Sequence, residues 1–112
     1  MTVGDWLDAR SPRPPVALQE RIRAVLGASL GSDATECAAL CVAAGERLVA
    51  KLLQNNSTSR DSALDLLTAD ALVTYAFEAA SEQPTGIDAL AASAMTSIAA
   101  LGSAIPVAGL AR

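Results

Sequence analysis

Histidine is absent from this chain of 112 residues, lysine occurs once, at Lys51, and aromatic side chains make up only 3%. Without imidazole there is no ordinary general base, no Ser–His or Cys–His dyad and no His-liganded metal. A di-metal helical bundle, which draws on Glu-x-x-His pairs, is excluded for the same reason. The 8 basic side chains are outnumbered by 12 acidic ones, for a net charge of −4. That balance argues against nucleic acid, whose phosphates call for clustered Lys and Arg. Two cysteines are too few for a disulfide framework. The glycines are isolated, and none forms a phosphate-cradling loop. No cofactor is expected from these residues, and no catalytic constellation is recognisable among them.

What is present is alanine, about a fifth of the chain, with leucine, in a sequence that is 52% hydrophobic. Such a composition favours helices and makes the chain too apolar for a disordered tail. One domain is expected at this length. The opening residues carry Asp5, Trp6 and Asp8. They do not read as a secretory leader, so the expected setting is a bacterial-type cytoplasm.

Punctuation along the chain predicts five helical stretches. Residues 2–9 form a short arm, with Thr2 as N-cap and Asp5 in a capping-box position. Ser11-Pro12-Arg13-Pro14-Pro15 breaks it, and Pro14 and Pro15 suit the first positions of the next helix, which runs to about Leu26 and stops at Gly27. Asp33, paired with Glu36, opens a long helix whose apolar stripe is Cys37, Leu40, Cys41, Ala44, Leu48, Val49 and Leu52. Glu36, Glu46, Arg47 and Lys51 fall on its other side. Residues 55–59 are a loop that ends in Ser59 as a cap.

Residues 60–81 are apolar around most of the helical circumference, which predicts a central helix buried on several sides. Thr85 with Asp88 caps a last helix, whose stripe is Ile87, Leu90, Ala91, Ala94, Met95, Ile98 and Leu101, before Gly102, Pro106 and Gly109 dissolve it. The expected product is an all-α, up-and-down bundle of four main helices with a short N-terminal helical arm. Residues 1–13 are the arm and its proline-rich hinge, 14–105 the bundle domain and 106–112 a tail.

Four features are candidates for function. Cys37 and Cys41, at i and i+4, project from one helix face, a pair suited to a soft metal or to two buried small hydrophobes. Asp70, with Thr74 and Tyr75, lies on the expected central helix, where a desolvated carboxylate would orient a small ligand or meet an arginine. Trp6 sits on an arm too short to bury an indole alone, so it docks on the bundle or contacts a partner. Residues 89–111 hold no charge, a span long enough to cross a bilayer. Its alanines, serines and Pro106 oppose insertion, and a partner-facing helix is the expected meaning.

One segment resembles a known family. Ala69-Asp70-Ala71-Leu72-Val73, followed by Ala76-Phe77-Glu78, is similar to the helix of trans-polyprenyl synthases that reads A-G-D-A-L-L-x-x-A-F-E. Both aspartate-rich D-D-x-x-D motifs of that family are missing, so the resemblance carries no prenyl-transfer residues. The functional expectation is a non-catalytic protein–protein interaction module. It would self-associate or serve as an accessory subunit of a larger assembly, through Trp6, Leu90, Ala94, Ile98 and Leu101. The alternatives are a ligand pocket near Asp70 and soft-metal binding at Cys37 and Cys41.

Overall fold

Two reciprocal hydrogen bonds start the chain. The Thr2 hydroxyl accepts from the Asp5 N–H at 3.1 Å and the Asp5 carboxylate accepts from the Thr2 N–H at 3.0 Å, which sets up helix α1 (Val3–Asp8). In the computed structural model, which describes residues 1–55, 59–83 and 86–104, α1 is followed by α2 (Val16–Leu26) and two 3-10 turns (Gly27–Gly31 and Ala34–Glu36). Then come α3 (Cys37–Asn55), α4 (Arg60–Ala80) and α5 (Gly86–Ala104). Among the described residues the only β-type pairing is an isolated antiparallel bridge between Thr2 and Asp33. The all-α bundle with four substantial helices and a short N-terminal helix is therefore the observed fold.

The caps explain the boundaries. Gly27 ends α2 with φ of 52°, a conformation that side-chain-bearing residues resist. Pro15 is the N-cap of α2 rather than its first residue, so the helix begins one residue beyond the proline pair. The Asp33 carboxylate accepts from both the N–H and the hydroxyl of Thr35, at 2.9 and 2.8 Å. It thus closes a tight 3-10 turn, and the long helix starts at Cys37 instead of at Asp33. Ser59 caps α4 by accepting from the Ser62 N–H. The expected Thr85 cap, the tail 106–112 and the middle of the loop at 56–58 lie outside the described residues. Gly102 does not end α5, which continues to Ala104.

Helices α3 and α4 form the central pair, packed along most of their length. Gly45 permits the close approach: a Cβ there would stand 3.3 Å from the Val73 methyl and 3.4 Å from the Ala69 carbonyl. The pair buries mostly small side chains, Cys37, Cys41, Ala44, Ala69, Ala76 and Ala79, around the larger Leu48 and Leu72, so its core depends on tight fit. Helices α1 and α2 cover one face of the pair, and α5 turns back along α4 on the other.

The N-terminal arm is part of this core rather than a separate unit. Val3 donates its N–H to the Ser32 carbonyl at 2.8 Å, Ala34 donates to the Met1 carbonyl, and Val3 and Trp6 are buried. The expectation that α4 is buried on several sides is corrected. Its buried stripe is Asp65, Thr68, Ala69, Leu72, Ala76, Ala79 and Ala80, while Leu66, Leu67 and Val73 are exposed. The reason is layer number: α2 and α3 cover one arc of α4, and α5 reaches only part of the rest.

Candidate functional site

Helix α5 carries no charged residue after Asp88, yet it is only lightly seated. Among the described residues, Leu90 and Ala94 are its buried side chains, one helical turn apart, and both belong to the core cluster. Leu101 is half-buried, whereas Met95 is 72% and Ile98 59% exposed. On α4 the line Leu66, Val73, Phe77 follows the same side as α5, with Leu66 60% exposed and Phe77 half-buried. Between the two helices lies a cleft of about 170 Å³ walled by Val73, Phe77, Ala94, Met95 and Ile98, with Val42 and Glu46 of α3 also lining it.

Glu46 lines that cleft without exposing a polar atom to it. Its Oε1 atom is buried and has no hydrogen-bond partner among the described residues. The same side chain borders a wider trough of about 390 Å³ on the other flank of α5, between α3 and α5. Alanines 38, 39, 43 and 89 and serines 93 and 97 line that trough. An unpaired buried carboxylate oxygen costs more than an unpaired neutral acceptor. The apolar spacing of the helix puts Glu46 on the outer face with Arg47 and Lys51. It follows Val42 by four residues, and this i, i+4 relation places it on the side that faces α5.

Trp6, expected to dock on the bundle or contact a partner, is buried in the core of its own chain, as are Leu90 and Ala94. The Trp6 indole N–H donates to both Glu82 carboxylate oxygens at 3.2 Å. Its ring meets Tyr75 edge-on at 6.1 Å, and the Arg10 guanidinium lies 4.1 Å above it while bridging to Glu82 at 3.4 Å. These four side chains staple the arm to the C-terminal end of α4. Of the expected partner-facing residues, Ile98 is exposed and Leu101 half-buried.

Asp70 is exposed, and so is Thr74, whose hydroxyl donates to the Asp70 carbonyl at 2.9 Å. Tyr75 points to the other side, into the Trp6 cluster, where burial raises its phenol pKa. The three residues therefore do not share a cavity, because positions 70 and 75 lie about 140° apart around the helix. The buried acid of α4 is Asp65, which takes a 2.6 Å hydrogen bond from Arg21 Nε. That bond raises the Arg21 pKa further. Asp65 occupies the stripe that continues through Thr68, Ala69, Leu72 and Ala76, so its position was readable at i, i+3, i+4, i+7 and i+11.

Cys37 and Cys41 are free, fully buried thiols whose sulfurs stand 3.8 Å apart. The Cys41 pKa is pushed far up, first by the hydrogen bond it shares with Cys37 and then by burial. Among the described residues no third Cys, Asp or Glu is placed to complete a metal site with the pair. None of the described helices is long and apolar enough to cross a membrane. No family model, curated protein or solved structure matches this chain.

Proposed function

We propose that this protein is a non-catalytic helical interaction module, working by self-association or as an accessory subunit of a larger assembly in the cytoplasm. The observation that carries the reading is the apolar cleft between α4 and α5, at which Val73, Met95 and Ile98 are exposed. A helix seated by two buried side chains, with an uncharged outer surface of alanine and serine, suits close packing against a further helix. No basic group stands on α4 or α5 besides Arg60.

Light scattering coupled to size-exclusion chromatography tests the proposal, alongside the Met95→Lys variant. The expected result is a dimer or larger species, or a stoichiometric complex from the native source, that Met95→Lys abolishes. Thermal stability should shift little, since Met95 is exposed. A strict monomer at high concentration with no native complex, or a complex indifferent to Met95→Lys and Ile98→Lys, would overturn it.

A further inference from the structure

Two thiols meet at the point where the N-terminal arm is tied to the rest of the chain. Cys37 and Cys41 are free and fully buried, with their sulfurs 3.8 Å apart, so that one S–H donates to the other. Cys37 is the first residue of α3, and its N–H still belongs to the preceding 3-10 turn, donating to the Ala34 carbonyl. The same turn holds the arm. The Ala34 N–H donates to the Met1 carbonyl at 3.0 Å, Thr2 bridges to Asp33, and α1 packs on Ala34–Glu36. The charges of Glu82 and Arg10, which clasp Trp6, also act on the Cys37 sulfur, so the staple lies close to the pair.

The two sulfurs are not equivalent. The hydrogen bond from Cys41 lowers the Cys37 pKa, and a place at the start of a helix favours a thiolate there as well. Cys41, the donor, is pushed far up. That is the division between an attacking and a resolving thiol. Side chains four apart on a helix hold their Cβ atoms about 5–6 Å apart, whereas a disulfide brings them to roughly 4 Å. Closing the bond therefore draws Cys37 out of its place, and the 3-10 turn and the ties of the arm move with it.

We propose that Cys37 and Cys41 form a reversible thiol–disulfide switch, oxidised by hydrogen peroxide, whose closure releases the N-terminal arm. The Cys37 thiolate attacks one peroxide oxygen and the O–O bond breaks. The departing hydroxide takes up the proton that Cys37 gave up and leaves as water. Cys41 then attacks the sulfur of the resulting Cys37 sulfenic acid, the S–O bond breaks, and the second hydroxide leaves as water with the Cys41 proton. Two thiols and one peroxide thus become one disulfide and two waters, and a dithiol reductant reverses the change by exchange. Neither thiol has exposed surface. Peroxide enters when the arm lifts, so the contact between Trp6 and Glu82 sets the rate. The switch stands independently of the interaction-module reading.

The reduced full-length protein is treated with hydrogen peroxide and followed by mass spectrometry, tryptophan emission and hydrogen exchange. The expected result is the loss of one hydrogen from each cysteine, mapped to the peptide that holds both. With it come a red shift of the Trp6 emission and faster exchange across α1, while α4 and the body of α3 stay protected. Dithiothreitol should restore the starting state. Cys41→Ala should stop at a sulfenic acid on Cys37 that dimedone traps. Cys37→Ala/Cys41→Ala, whose small side chains suit this helix, should show no change in emission. Glu82→Ala, which frees the indole, should speed disulfide formation about ten-fold. Thiols that stay reduced in the folded protein, a disulfide between two chains, or a disulfide that leaves the arm unmoved would each overturn the proposal. So would exchange rising over all helices, or a rate indifferent to Glu82→Ala. An emission change that persists in the double alanine variant overturns it too, by placing the oxidation elsewhere, as at the exposed Met1 and Met95.

Discussion

Trp6 carries more of the tertiary structure than its place on a six-residue helix suggests, because it joins a large buried ring to a donor for Glu82. Trp6→Ala is expected to cost about 3–5 kcal/mol, and Trp6→Phe, which keeps a ring against Tyr75 but loses the indole donor, about 1–2 kcal/mol. Urea unfolding checks both, and equal losses would show that the hydrogen bond rather than the packing dominates. Two other residues tie stability to acid. Hydrogen bonds from the Thr2 N–H and hydroxyl hold the Asp5 carboxyl below its ordinary value of 3.8, and the same two groups of Thr35 do so for Asp33. A carboxyl depressed in the folded state adds stability above its unfolded pKa, and that contribution is lost as pH falls through the folded value. Wild-type stability should therefore fall between about pH 5 and pH 2, and the Asp5→Asn/Asp33→Asn double variant should fall less steeply. Matching slopes would count against both caps. The Thr2–Asp5 capping box was legible in the sequence because a capping box is a local pattern. The partner of Trp6 was not, since Glu82 lies 76 residues away and no local spacing encodes that pairing.

Among the helices, α3 and α5 show the limits of periodicity. The α3 stripe of Cys37, Cys41, Ala44 and Leu48 is buried as its spacing requires, because α3 has neighbours on both sides of that stripe. The α5 stripe is equally regular, yet only Leu90 and Ala94 are buried from it, since burial depends on what stands opposite and not on the pattern alone. The same reasoning explains α4, whose apolar circumference was readable but whose uncovered side was not. Helix α5 should accordingly be the least stable element after the termini. Leu90→Ala is expected to raise amide exchange across α5 while leaving α3 and α4 protected, at a cost of about 2–3 kcal/mol to the docking of that helix. Hydrogen exchange with mass spectrometry reads this directly, and a uniform rise over all helices would show instead that α5 is integral to one cooperative unit. Its start depends on Gly86, where a Cβ would run into the Ala80 carbonyl.

Across the whole molecule, the layers differ in how they are held. The α1–α2 side is fastened by ion pairs between Arg10 and Glu82, Arg21 and Asp65, and Arg23 and Asp8. Among the described residues no ion pair holds α5, so the protein has one bolted face and one loosely covered face. The uneven spread of charge was legible in the sequence, as the uncharged run beyond Asp88, but the fastening was not, because each pair crosses between elements. The Trp6 staple also dictates an order of assembly. Residues 6 and 82 bracket most of the chain, so closing that loop costs entropy that helices α3 and α4 must already have offset. The indole itself, from the chain's one tryptophan, can lock only onto a finished α4 terminus, although the rest of the arm is fastened to Ser32 and Ala34. In stopped-flow refolding, helical circular dichroism should recover ahead of tryptophan fluorescence, with Glu82→Ala slowing the fluorescence phase alone. The indole thus works as a built-in clock that records the last event of folding, and coincident traces would place the arm in the nucleus instead.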